Sequence, residues 1–212
     1  VYADEMTAAF QLSNASGGMN ARCLAAFDEE DRWKCSFASH SYGHTLAPLF
    51  PLNSALDQWS TACVLSGISP PGFPNRTHTN GRGDLTLCAK VPGWYECSWN
   101  LTACTASQVV ELNDFMKDFT RALRSTRDAW QKDGNGAFIH SCHTHCEAQD
   151  TRLWTAVTIG GVSMQQAVSS WWKNEKEPAV VHSYTDCAHR PENPHMCNPT
   201  CAGAPGVLQQ VI

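Results

Sequence analysis

Nowhere in these 212 residues is there a run of about 18 apolar side chains, so no segment reads as a helix that spans a bilayer. Positive charge is scarce: 15 Lys and Arg face 20 Asp and Glu, for a net charge of -5. No basic stripe is present for a phosphate backbone, which argues against a nucleic-acid partner. Also missing are an internal repeat, a coiled-coil heptad, an H-E-x-x-H motif and paired C-x-x-C motifs. The start, Val1-Tyr2-Ala3-Asp4-Glu5, does not read as a secretory leader, so a secreted form is expected to have lost its leader or to carry it upstream.

What is present is cysteine, 11 in all. That density is unusual where thiols stay reduced and ordinary in an oxidising compartment. Three sequons agree with such a compartment: Asn14-Ala15-Ser16, Asn75-Arg76-Thr77 and Asn100-Leu101-Thr102. Asn198-Pro199-Thr200 is excluded by its proline. The expected location is therefore secreted or extracellular, in a cell wall or surface matrix. An odd number of cysteines leaves at least one thiol free or bonded to another chain.

A chain of this length has room for one sizeable core, and residues 1–212 read as a single domain fragment. Residues 13–22 are rich in Gly, Asn and Ser and read as a loop. Leu46 to Leu52 is nearly continuous in apolar residues and predicts a buried strand, irregular or edge-like because of Pro48 and Pro51. Asn53, Ser54 and Asp57 then open a predicted helix containing Trp59 and Cys63. Residues 66–86 carry Pro70-Pro71-Gly72 and Asn80-Gly81 and read as a long surface loop, with Arg82-Gly83-Asp84 inside it. As an adhesion signal that tripeptide weighs little, because three residues recur by chance.

Thr105-Ala106-Ser107-Gln108 is a capping-box pattern, followed at helical spacing by Val109, Leu112, Phe115, Met116, Phe119, Ala122 and Leu123. This predicts a helix over about 106–124. Ala137 to Ile139 is a short strand candidate. Ser163-Met164-Gln165-Gln166 is a second capping box, opening a helix through Ala167, Val168 and Trp171. Trp59, Trp154 and Trp171 lie in apolar patterns and read as core more than as a sugar-stacking face. The segment 186–201 is a Cys-rich, irregular tail. Helices alternating with short apolar strands predict the α/β class.

The densest chemistry lies in Gly136-Ala137-Phe138-Ile139-His140-Ser141-Cys142-His143-Thr144-His145-Cys146. Three readings stay open from the residues alone. The cluster is a zinc site using His143, His145 and Cys146, a disulfide-pinned loop with incidental histidines, or a catalytic imidazole at a strand end. The third reading needs an orienting acid. Asp57 is the candidate, following the apolar run at a strand-to-helix junction; its bland alternative is a residue favoured by the helix dipole. No G-x-S-x-G elbow supplies a serine. Ser163 in Gly161-Val162-Ser163 is better explained as a helix cap, and Ser16 lies in a sequon with no strand before it.

Several blocks resemble the C-terminal half of the pectin acetylesterase/Notum family of secreted α/β-hydrolase-like carboxylesterases. They are Pro48 through Trp59, Trp94 through Cys97, Cys104 to Leu123, Ala137 through Cys146, Ile159 through Trp171, and Cys197-Asn198-Pro199-Thr200-Cys201. The resemblance implies an α/β-hydrolase-like, disulfide-rich fold, with Asp57 as triad acid and His145 as triad base. It leaves His140 and His143 as bystanders and Cys142 and Cys146 as loop staples. Residues 66–90 look like an inserted surface loop. The family's Gly-Cys-Ser-Ala-Gly-Gly nucleophile turn is absent and is expected N-terminal to Val1.

The implied function is removal of O-acyl or acetyl groups from an extracellular polysaccharide or glycoconjugate, with no cofactor and no metal. The implied partners are the N-terminal half of the same precursor, to which the odd cysteine is a candidate bond, and an acylated polysaccharide substrate. The alternative is a non-catalytic structural or adhesion module of an extracellular assembly. Near neighbours suggest the pairs Cys23–Cys35 and Cys97–Cys104, with Cys63 and Cys88 as an added pair. Cys142, Cys146, Cys187, Cys197 and Cys201 complete the disulfide candidates.

Overall fold

The computed structural model describes residues 2–61, 94–124, 134–173, 182–186 and 197–201. The proposed insertion at 66–90, with Cys63, Cys88, Asn75 and the Arg82-Gly83-Asp84 tripeptide, lies outside the described residues, as does Cys187. In chain order the helices are α1 (Tyr2–Leu12), α2 (Ala21–Ala25), α3 (Ala38–Ser41), α4 (Gln58–Ser60), α5 (Trp94–Trp99), α6 (Ala106–Arg124), α7 (Thr151–Ala156) and α8 (Met164–Trp172). The strands are β1 (Leu52–Ser54), β2 (Ala137–His140), β3 (Thr158–Ile159), β4 (Val162–Ser163) and β5 (Ser183–Thr185).

Three strands form a parallel sheet in the order β1-β2-β5. Leu52 pairs with Phe138 and Ser54 with His140 on one edge of β2, and Ala137 pairs with Ser183 and Ile139 with Thr185 on the other. Every residue of β2 is buried. A parallel strand covered on both faces reads as a continuous apolar run, and Ala-Phe-Ile is one. Side chains then alternate between two cores. Phe138 enters a cluster with Leu153 of α7, Val157 just after it, and Met164 and Ala167 of α8. Ala137 and Ile139 enter the other with Cys97, Leu112 and Met116, from α5 and α6. Helices thus cover both faces of a parallel sheet, an α/β arrangement.

The α6 helix runs over Ala106–Arg124, as its periodicity predicts. Its capping box is formed: Thr105 N donates to Gln108 Oε1 at 2.8 Å, and Gln108 N donates to Thr105 Oγ1 at 3.3 Å. The second box, Ser163 with Gln166, is also complete and opens α8. The α1 helix and the three-residue strand β5 carry no pattern that the sequence reading picked out.

The apolar run Leu46–Leu52 is a correction. Leu46 is 72% exposed, and the strand begins only at Leu52. Pro48 and Pro51 have no N–H to give a ladder, and Leu49 N donates to the Asn135 side chain at 2.8 Å instead of to a strand. Leu49 O accepts from Gly136 N at 3.0 Å and Pro51 O from Phe138 N at 2.9 Å.

Two expected disulfides are formed, Cys23–Cys35 and Cys97–Cys104. The third described bond, Cys142–Cys201, ties the 197–201 segment to the loop after β2 across 59 residues. Of the tryptophans read as core, Trp59, Trp154 and Trp171 are half-buried, Trp171 resting on Phe50 with ring centroids 5.2 Å apart.

Gly136 enters β2 where the backbones come too close for a side chain. A Cβ there would stand 2.6 Å from His182 O and 2.6 Å from the Phe50 ring. The carbonyl cannot rotate away, because it accepts from Ala137 N at 2.8 Å. Gly136→Ala is therefore expected to destabilise the fold by about 1–3 kcal/mol, the usual cost of overpacking. A urea-unfolding midpoint equal to wild type would contradict this.

Candidate active site

Two loops leave the C-terminal ends of the neighbouring parallel strands β1 and β2, the end of a parallel sheet at which ligand sites gather. The first loop carries Asp57 and the second His145. Asp57 is the N-cap of α4, with φ -56 and ψ 122, and its Oδ1 accepts from Ser60 N at 2.7 Å. Its other oxygen, Oδ2, lies 2.8 Å from His145 Nδ1. One carboxylate thus closes a helix start and aims an imidazole.

The Asp57 side chain is 13% exposed and that of His145 40%. With Nδ1–H directed to the carboxylate, Nε2 is the nitrogen left to exchange a proton with a substrate or nucleophile. Trp59 stacks beside the imidazole, centroids 6.3 Å apart and planes 27° from parallel. A cavity of about 160 Å³ opens here, with Leu52, Asn53 and Met164 among its walls beside Asp57 and His145.

The two loops are stitched together below the pair. Ala55 N donates to His140 O at 2.7 Å, and Gln58 N donates to Thr144 O at 3.0 Å. The Ser54 hydroxyl donates to Cys142 O and accepts from Leu56 N at 2.9 Å. Thr61 Oγ1 meets His143 Nε2 at 3.2 Å. His143 is therefore committed to α4, on the Asp57 side. Among the described residues no group of three or more His, Cys, Asp and Glu is arranged to hold a metal ion.

Ser141 is buried and locked. Its N–H and its hydroxyl both donate to Asp186 Oδ2, at 2.8 and 3.1 Å, and its Oγ accepts from Asn198 N at 3.2 Å. Asn198 Nδ2 reaches Asp186 Oδ2 at 3.1 Å and Thr158 O at 2.9 Å. The Cys197–Cys201 segment is thus a structural clasp that fixes the base of the His145 loop.

Cys146 corrects one expectation. Read as a staple partner, it is instead the free cysteine among the described residues, and it is exposed; Cys142 bonds Cys201 instead. Cys146 has φ 60, a left-handed conformation that a residue with a Cβ adopts at a cost of about 1–3 kcal/mol. Partial burial pushes its thiol above the ordinary range, and the charges of Asp57 and Glu147 push it the same way.

Of the sequon residues, Asn14 is exposed, and Asn100 folds onto its own Thr102, whose N–H and hydroxyl donate to Asn100 Oδ1 at 3.0 and 2.7 Å.

The family model described as Pectinacetylesterase matches residues 2–202. The chain belongs to this family. Among relatives, pectin acetylesterase 11 of Arabidopsis thaliana is 26% identical over 170 residues, covering 79% of this chain and 36% of that protein. Pectin acetylesterase 4 of the same plant is 25% identical over 195 residues, 90% of this chain and 38% of its own length. Pectin acetylesterase 7 is 24% identical over 170 residues. The chain spans little more than a third of the curated relatives it matches.

One residue of the site escaped the sequence reading. Glu147 is 8% exposed, accepts from the Thr144 hydroxyl and faces His140 Nε2 at 3.2 Å. That last contact is electrostatic more than a well-aligned hydrogen bond. A buried strand-end His followed seven residues later by an acid was the only available signal. Burial raises the Glu147 pKa, but the His140 imidazole facing it, together with the Thr144 hydroxyl, outweighs burial and holds the group below the usual carboxylate range.

A folded-state pKa below the unfolded value means the Glu147 carboxylate stabilises the protein above the unfolded value of about 4.3. That contribution is lost as pH falls through the lower folded value. Wild type should therefore lose more stability than Glu147→Gln on acidification from about pH 6 to about pH 3, read as urea midpoints. Parallel losses in the two proteins would contradict the assignment.

For Cys146, alkylation by iodoacetamide in the folded protein should be slow at neutral pH. It should rise only above the ordinary thiol range of about 8.5, because the thiolate is the reactive form. Peptide mapping reads the site. Fast labelling at neutral pH would contradict the raised pKa.

Proposed function

We propose that this chain is the acid-and-base portion of a secreted, α/β-hydrolase-like serine carboxylesterase that removes acetyl or other O-acyl groups from an extracellular polysaccharide or glycoconjugate. The observation that carries the reading is the 2.8 Å contact between His145 Nδ1 and Asp57 Oδ2, at the C-terminal ends of adjacent parallel strands. The family membership, and the names of relatives called pectin acetylesterases, support the substrate class. Three disulfides among the described residues support an oxidising, extracellular setting.

In the mechanism, a serine from outside these 212 residues attacks the acyl carbonyl. His145 Nε2 takes the serine proton as the tetrahedral intermediate forms, then returns it to the leaving alkoxide. Asp57 holds the Nδ1–H tautomer and stabilises the imidazolium during both transfers. Its second oxygen is held by Ser60 N, so the carboxylate cannot swing away as charge develops. Ser141 is tied to Asp186 and Ser163 caps α8, which leaves neither free as the nucleophile.

The test uses the complete native protein, with every polypeptide that copurifies. A fluorophosphonate probe should label a serine that is not among these residues, and His145→Ala should abolish the labelling. Asp57→Asn should lower kcat for an acetyl ester on the order of 10⁴-fold, the loss seen when a triad acid is neutralised. Labelling on Ser141 or Ser163, or labelling unaffected by His145→Ala, would sink the proposal.

A further inference from the structure

Beneath the His145 loop lies a pair of buried titratable groups that the proton transfers do not use. His140 is fully buried at the end of β2, and Glu147 is nearly so. His140 Nδ1 accepts from Cys142 N at 3.1 Å, which leaves Nε2 as the N–H nitrogen directed at Glu147 Oε1, 3.2 Å away. The same carboxylate oxygen accepts the Thr144 hydroxyl. One side chain therefore gathers the two ends of the turn.

Thr144 directly precedes His145. Its carbonyl accepts from Gln58 N at 3.0 Å, and Gln58 directly follows Asp57. A continuous path thus runs from the buried carboxylate through Thr144 to both members of the pair. Cys146, between His145 and Glu147, is held in the left-handed region at φ 60. A strained residue keeps such a conformation only while its surroundings enforce it. The Cys142–Cys201 bond and the His143–Thr61 contact fix the earlier part of the loop. On the far side of the strained residue Gln149 N donates to Cys146 O at 3.0 Å, and the Glu147 side chain ties the turn back to Thr144 and His140.

We propose that Glu147 is a positioning residue, its carboxylate clamped on Thr144 and His140 so that the turn 141–147 aims His145 Nδ1 at Asp57. Its effect on rate rests on the esterase reading; its effect on the imidazole does not. Without the clamp, Cys146 relaxes towards the right-handed or extended regions and carries the neighbouring imidazole off the Asp57 carboxylate.

The experiment has two arms. In the first, the ¹⁵N-histidine-labelled chain is observed by NMR, and the low-field His145 Nδ1–H signal is identified by its loss in Asp57→Asn. Glu147→Ala should broaden that signal, with water exchange at least about tenfold faster. Glu147→Gln keeps an acceptor for Thr144 and should retain most of the protection. Leu112→Ala, a variant in the core cluster that contains no residue of 141–147, lowers Tm and should leave the signal in place. No such signal in wild type, the same signal in Glu147→Ala, or equal loss in Leu112→Ala would overturn the proposal.

In the second arm, the complete native protein hydrolyses an acetyl ester. Glu147→Ala should lower kcat about 10- to 100-fold with KM within about twofold, and Glu147→Gln should restore most of the rate. An active wild type with unchanged kcat in Glu147→Ala would overturn the proposal. An inactive wild type would remove the esterase reading instead, and the NMR arm alone would then decide the positioning role.

Discussion

The site is built around the four residues Ala137–His140, which are buried on both faces and paired along both edges. A strand in that position has no tolerance for slippage, because a one-residue shift would exchange Phe138 for Ala137 and Ile139 between the two cores. Its register with β1 places Ser54 opposite His140. From that pairing the residues after each of the two strands leave the sheet side by side. The meeting of Asp57 and His145 is a consequence of that register.

A second economy lies in the shared use of side chains. Asp57 caps a short helix with one oxygen and orients an imidazole with the other. Ser54 donates to one loop and accepts from the next. His143 and Ser141 flank Cys142 in sequence, yet they brace opposite sides, one tied to Thr61 and the other to Asp186 and Asn198. The dense polar cluster after β2 is thus mostly scaffold, and its exposed members are His145 and Cys146. The pair itself is partly open to water, so its direct contribution to stability is small. The loops that hold it carry more of the structural weight.

How much was legible follows from how local each signal is. The α6 helix and the box that opens α8 were readable because capping and 3.6-residue periodicity need only near neighbours. The strand Ala137–His140 was readable because burial on both faces leaves a continuous apolar run. The run Leu46–Leu52 misled for the same reason: apolarity mimics a strand, but two prolines deny it a ladder and leave Leu46 in solvent. The strand β5 is three residues long and takes its identity from pairing with β2, which no local pattern announces. Cys23–Cys35 and Cys97–Cys104 close short loops, whereas Cys142 chose Cys201, 59 residues away, over Cys146 in its own loop.

The sequence by itself determined the α/β class, the main helix, the central strand, the candidacy of Asp57 and His145 and, through several blocks, the family. Each of these is written in neighbouring residues or in a recognisable block. Only the tertiary structure decided that Asp57 and His145, 88 positions apart, come within 2.8 Å. It alone also made Cys146 a free thiol, turned Ser141 into a brace, and buried Glu147 beneath the loop. The reason is that burial and long-range pairing depend on the register of β2 with its neighbours, which is set by two cores assembled from distant segments.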